Sequence, residues 1–139
     1  MGDVIQGRAV VAGEAAGDLL TSPQPLSFWG GYDHQTGEII DRRHPLSGCI
    51  AAGRILAIPH TIGSSTTTAV LLEAIRAGTA PAAIVTDGID SFLALASVVA
   101  GELYGRPLPV IALSGDQFAK LRSGERARVC GDGAIVLGP

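Results

Sequence analysis

Two cysteines, Cys49 and Cys130, are all that the chain carries. They lie far apart with no CxxC-type spacing, so neither a zinc site nor a disulfide framework is indicated; both are expected to be small buried residues. Positive charge is also scarce. Ten Lys and Arg against 13 Asp and Glu leave a net charge of −3, which gives no basic footprint for nucleic acid. No apolar run reaches the ~20 residues needed to cross a bilayer. The opening MGDVIQGRAV lacks the charged-then-apolar layout of a signal peptide, and a cytoplasmic protein without a membrane segment is the expectation. Charged residues make up only 17% of the chain and hydrophobic ones 47%, which excludes a disordered polypeptide. At 139 residues, with no internal repeat and no linker, residues 1–139 read as one domain with a real core.

What is present divides into a β-rich first half and an alternating second half. VIQGRAVVAGEAAGDLLTS holds short apolar runs punctuated by Gly13 and Gly17, as twisted strands around a turn require. SPQPLSFWGGYDHQTGEIID is a Pro- and Gly-rich loop that ends in a brief strand near Glu38 to Ile40. GRILAIP predicts a buried strand over Gly53 to Ile58, stopped by Pro59. A helix follows from about Ser65 to Ala77, with Gly78 as its C-terminal stop. PAAIVT is then a strand, Ser91 to Tyr104 a helix, and LPVIAL a strand. This β-α-β-α-β order calls for parallel pairing with right-handed crossovers. RSGERARVCGDGAIVLG closes the chain as a hairpin about Gly-Asp-Gly. The fold class is α/β.

Two segments ask for more than a structural role. The helix from Ser91 to Tyr104 is apolar around most of its circumference, so it must be covered on more than one side, by its own sheet and neighbours or by another chain. The run Ser64 to Thr68 puts five hydroxyl residues behind Gly63 at the start of the preceding helix. Three are threonines, which are mediocre helix formers. A strand ending at Pro59, a loop through Gly63 and a helix opening at Ser64 or Ser65 would direct unpaired N–H groups and the positive end of a helix dipole into the loop. Such a mouth suits an anion. A helix cap on Ser64 or Ser65 explains the same residues without a ligand, and the GxxxxGK[ST] pattern of a nucleotide loop is absent.

The ordered segments GYDHQTGEIIDRRHPLSG, GRILAIPHTIGSSTTTAVLLEAI and APAAIVTDGIDSFLALASVVAGELYGRPLPVIAL resemble the small, swivelling-domain subunit of aconitase X, a family of dehydratases in the aconitase superfamily. The resemblance covers nearly the whole chain, and Gly-Ser-Ser is its most specific part. It implies a swivelling β/β/α domain with a mixed, barrel-like sheet and crossover helices. It also implies a large-subunit partner that carries iron or an iron–sulfur cluster, with no cofactor and no metal on this chain alone, and Ser64 as the catalytic base. Gly63, Ser65, Thr66 and His60 are the substrate-binding candidates beside it. The chemistry is compatible: a serine alkoxide is less costly at a helix N-terminus in a closed site near a metal. Two cysteines cannot assemble a cluster that needs three or four.

Aconitase-like swivelling domains generally follow Gly-Ser-Ser with an arginine that grips a carboxylate, whereas this chain has Thr66. A neutral hydroxyl cannot form that bidentate clamp. The resemblance therefore implies a small hydroxy-acid substrate with fewer carboxylates than citrate, favouring cis-3-hydroxy-L-proline, with mevalonate 5-phosphate as the alternative. His44 before Pro45 and Arg43, with Arg42 beside it, are accessory candidates that could face the site or a partner. Asp87 and Asp90 flank a strand-to-helix turn, where Asp90 or Ser91 would cap the helix. Asp33 and His34 are metal-ligand types in a Gly-rich loop, a weak metal signal. A different class stays open: a non-catalytic swivelling binding module, or a phosphohistidine carrier using His60.

Overall fold

The computed structural model describes residues 3–63 and 65–138, and for Ser65 the backbone alone. The first strands are β1 (Val4–Gln6), β2 (Arg8–Val11), β3 (Ala15–Thr21) and the two-residue β4 (Leu26–Ser27). Then come β5 (Ile55–Ala57), β6 (Thr61–Ile62), α1 (Ser65–Ala77), β7 (Ala83–Asp87), α2 (Ser91–Tyr104) and β8 (Val110–Leu113). A single-turn α3 (Gly115–Phe118), β9 (Arg126–Val129) and β10 (Ala134–Leu137) complete the order.

Eight strands form one mixed sheet in the order β1-β10-β9-β3-β5-β7-β8-β2. The long strand β3 joins its two halves. Ala15 to Asp18 pair antiparallel with β9, and Leu19 to Thr21 pair parallel with β5. β5, β7 and β8 continue in parallel, as the alternating second half of the sequence predicts. β1 and β2 lie at opposite edges of the sheet yet only Gly7 separates them in sequence. The sheet therefore curls until its edges meet, giving the nearly closed, barrel-like core of a swivelling domain.

The pleat explains why the parallel strands are apolar on both faces. Ile55, Ala57, Ala83, Val85, Ile111 and Leu113 point into the barrel, with Leu19, Val129 and Ile135. Their alternates Leu56, Ile58, Ile84 and Val110 point outward beneath the helices, against Leu71, Ala74, Leu93, Ala96 and Ala100. Successive side chains of a strand face opposite ways, and both faces are covered.

The long loop between β4 and β5 belongs to the outer layer. Leu26, Phe28 and Ile39 are fully buried, and the Phe28 and Tyr32 rings stack at 5.0 Å. The Tyr32 hydroxyl donates to the Thr79 carbonyl at 2.7 Å, and burial pushes its pKa well above the ordinary tyrosine value. The strand expected near Glu38 to Ile40 is reduced to two isolated bridges, Tyr32 with Ile39 and Glu38 with Ile50. The segment still bonds on both sides, Ile40 N–H to the Gly31 carbonyl and Ile39 N–H to the Cys49 carbonyl, but the turns capped by Asp33 and Asp41 flank it closely and keep the pairing to single bridges. Cys49 and Cys130 are half-buried, more exposed than the composition suggested.

Candidate functional site

The parallel strands β5, β7 and β8 end on one side of the molecule, where open α/β sheets place their ligands. Three connections meet there. Asp87 donates its N–H to the Pro59 carbonyl, and Gly88 donates to the carbonyl of Leu113. The third is the hydroxyl loop, which leaves β5 at Pro59, passes through β6 and enters α1.

That loop is built from short-range constraints. β6 pairs in parallel with β4, Thr61 opposite Leu26 and Ile62 opposite Ser27. Gly63 follows with φ of +110°, a backbone conformation open to glycine and strained for other residues. A β-carbon there would lie 3.4 Å from Thr66 Oγ1 and 3.6 Å from Thr67 Oγ1, so the threonine hydroxyls gather beside the glycine. Thr67 is fully buried; Thr66 is exposed in the first turn of α1. The first turn of α1 has no acidic side chain, so no carboxylate of that turn offsets the positive end of its dipole.

Ser64, the candidate base, lies outside the described residues; its neighbours Gly63 and Ser65 bound it in sequence, and Ser65 opens α1. His60 is exposed, and its Nδ1 lies 3.0 Å from the Thr61 carbonyl. A carbonyl can only accept, so the proton belongs on Nδ1. His44 is a strut beside this region: it is 6% exposed, Nδ1 accepts the Leu46 N–H at 3.1 Å, and Nε2 faces the Gln24 carbonyl at 3.3 Å. It thereby braces the segment that runs into β4. Arg43 is exposed in the same turn, where its backbone N–H donates to Asp41 Oδ1.

Asp90, not Ser91, caps α2. It also reaches the loop: Oδ2 accepts both the Thr61 N–H and the Thr61 hydroxyl at 2.7 Å. The sequence offers the cap but not this second link, because Thr61 and Asp90 are 29 residues apart and neither carries a local signal of the other. An adjoining hollow of about 380 Å³ at the same strand ends is lined by Thr21, Pro59, Asp87 and Phe118 among others. Of the hydroxyl loop, Pro59 at its start is among the lining residues.

No group of three or more His, Cys, Asp or Glu side chains among the described residues is placed to hold a metal ion. Asp33 is used in a turn, accepting the Gln35 N–H at 2.8 Å. The donors among the described residues do not fit an iron centre.

A curled mixed sheet with two covering helices, and a glycine-hinged hydroxyl loop at the ends of its parallel strands, defines a swivelling-type domain. The family model described as the aconitase X swivel domain matches residues 4–137, and the chain belongs to that family. It is 51% identical over 130 residues to cis-3-hydroxy-L-proline dehydratase of Pseudomonas aeruginosa, covering 94% of this chain and 22% of that protein. It is 35% identical to the phosphomevalonate dehydratase small subunit of Thermococcus onnurineus, covering 95% of each. The crystal structure of Thermococcus kodakaraensis aconitase X in its holo-form superposes with a TM-score of 0.88 at 28% identity, over 99% of this chain and 100% of that one. The chain spans about a fifth of the length of the cis-3-hydroxy-L-proline dehydratases it matches.

Proposed function

We propose that this chain is the small, swivelling component of an aconitase X-type hydro-lyase that dehydrates cis-3-hydroxy-L-proline to Δ1-pyrroline-2-carboxylate. The observation that carries the reading is the 51% identity to a dehydratase of that name over 130 residues. The hydroxyl loop at the start of α1 supports it as a chemical site. In the reaction the proton on the carbon next to the carboxylate and the hydroxyl on the neighbouring carbon are lost, together one water, and the enamine so formed becomes the Δ1 imine by moving its N–H proton to that neighbouring carbon. Ser64 is the base that takes the proton, and the N-terminus of α1 lowers the cost of its negative charge. Gly63, Ser65, Thr66 and His60 border the substrate.

A large subunit completes the site and carries the iron; among the described residues of this chain no group of three or more His, Cys, Asp or Glu could hold one. It seats on the outward face of α2, where Phe92, Leu95, Val98 and Leu103 are 41–63% exposed. Ile89 and Ile62 extend that apolar surface towards the hydroxyl loop. A second reading, dehydration of mevalonate 5-phosphate, is supported by the 35% identity to the Thermococcus onnurineus small subunit, and a helix N-terminus also suits a phosphate.

Reconstitution with a large subunit tests both. The expected result is turnover of cis-3-hydroxy-L-proline at a kcat/KM well above that for mevalonate 5-phosphate, with no turnover of citrate. Ser64→Ala should lower kcat by about 10²–10⁴-fold while the complex still forms. Preference for the phosphate ester moves the chain to the second reading, and normal turnover by the alanine variant removes Ser64 as the base.

A further inference from the structure

Asp90 is a carboxylate only 7% exposed, and its two oxygens serve two elements. Oδ1 accepts the N–H groups of Phe92 and Leu93, each at 3.1 Å, which caps α2. Serine, threonine or asparagine would provide that cap equally well. A carboxylate is required by the other oxygen. Thr61 presents two donors, backbone N–H and side-chain hydroxyl, to Oδ2 at 2.7 Å each, and only an acidic side chain offers acceptors on both of its terminal atoms. These charge-assisted bonds are short and buried, where they are strongest.

Thr61 is a place where such a hold matters. It belongs to a two-residue strand paired, among the described residues, with the equally short β4, and Gly63 comes two residues later. Among the described residues, the other holds on the chain entering α1 are the pairing with β4 and the 3.5 Å approach of Thr67 Oγ1 to the Ile62 carbonyl, which is long for a hydrogen bond. We infer that Asp90 is a positioning residue for the dehydration: through Thr61 it sets where the loop from Gly63 to Thr66 stands against the substrate, without touching the substrate itself. The inference rests on the dehydratase reading for its catalytic consequence and on hydrogen-bond geometry alone for the clamp.

Two substitutions separate clamp from cap. Asp90→Ser keeps a cap for α2 but is too short to reach Thr61, and Asp90→Asn keeps one acceptor oxygen where two are needed. In the reconstituted holoenzyme both should assemble and lower kcat tenfold or more, because a displacement of about 1 Å at a catalytic group costs about a hundredfold. KM should stay within about threefold. Thr61→Val should lose part of the turnover, and Thr61→Ser, which restores the second donor, should recover most of that loss. In the full chain alone, hydrogen exchange at the Thr61 amide should quicken by about tenfold to a hundredfold in both Asp90 variants, while Ala96 and Ala100 in α2 keep their protection. Wild-type kcat in an assembled Asp90→Ser enzyme, or unchanged exchange at Thr61, overturns the inference. If the wild-type holoenzyme dehydrates neither substrate, it is the dehydratase reading that fails, and the exchange measurement still decides whether the clamp exists.

Discussion

Gly63 shows how little of the loop's shape is negotiable at the level of a single residue. Its φ of +110° lies where a side chain strains the backbone, although the space around it is ordinary, with Thr66 Oγ1 at 3.4 Å from a built β-carbon. The cost of Gly63→Ala is therefore conformational, about 1–3 kcal/mol, and the cheapest escape is to move the loop. Gly105 is the natural comparison. It ends α2 with φ of 66° and has nothing within 4 Å of a β-carbon. Alanine at either position should lower the midpoint of thermal unfolding, but only Gly63→Ala should also reduce turnover, by tenfold or more. Equal turnover in the two variants would show that the loop tolerates displacement and that its glycine serves only the fold.

Among the elements, α2 carries two unlike faces. Leu93, Ala96, Ser97 and Ala100 are buried against the sheet and α1, and the Ser97 hydroxyl donates to the Leu108 carbonyl. Leu95 and Val98 sit opposite, 53% and 54% exposed. A glutamate at the half-exposed Leu95 keeps its carboxylate in solvent in the free chain and places a charge where a partner would have to desolvate it. Leu95→Glu should leave the chain's unfolding midpoint within about 0.5 kcal/mol of wild type and weaken association with the large subunit by at least tenfold, measured by calorimetric titration. Undiminished association would put the docking surface elsewhere. The bounds of α1 and α2 were legible in the sequence because their punctuation is local: Gly78 and Gly105 stop them, and Asp90 starts α2. The β4–β6 pair was not legible, since Leu26 meets Thr61 across 35 residues and a two-residue strand has no period to read. The same distance problem hid the clamp between Thr61 and Asp90. The hydroxyl run and its glycine were visible as a candidate site, whereas the bonds that tie the buried His44 ring to Leu46 and Gln24 carry no local signal in the sequence.

At the scale of the molecule, the sheet is closed where the β1–β2 link at Gly7 meets the β9–β10 hairpin rather than by a continuous ladder. Gly7 hinges β1 to β2 and donates to the Gly133 carbonyl at 3.1 Å, while the Gln6 amide reaches the Asp132 carbonyl at 3.2 Å. The seam depends on two backbones touching. A β-carbon on Gly133 would stand 2.7 Å from both the Ala9 nitrogen and the Gly7 carbonyl oxygen, atoms that no side-chain rotation can move. Its φ of +93° adds strain of its own. Gly133→Ala should thus push the β9–β10 turn off the hinge, and strain with overpacking together should destabilise the domain by about 2–5 kcal/mol. That is a large part of the 5–15 kcal/mol typical of a whole domain. Gly131 lies in the same turn with open space around it, so Gly131→Ala should stay within about 0.5 kcal/mol of wild type. Urea unfolding of the two variants side by side decides the matter: coincident midpoints would mean that the sheet's edges are not held together at Gly7 and Gly133.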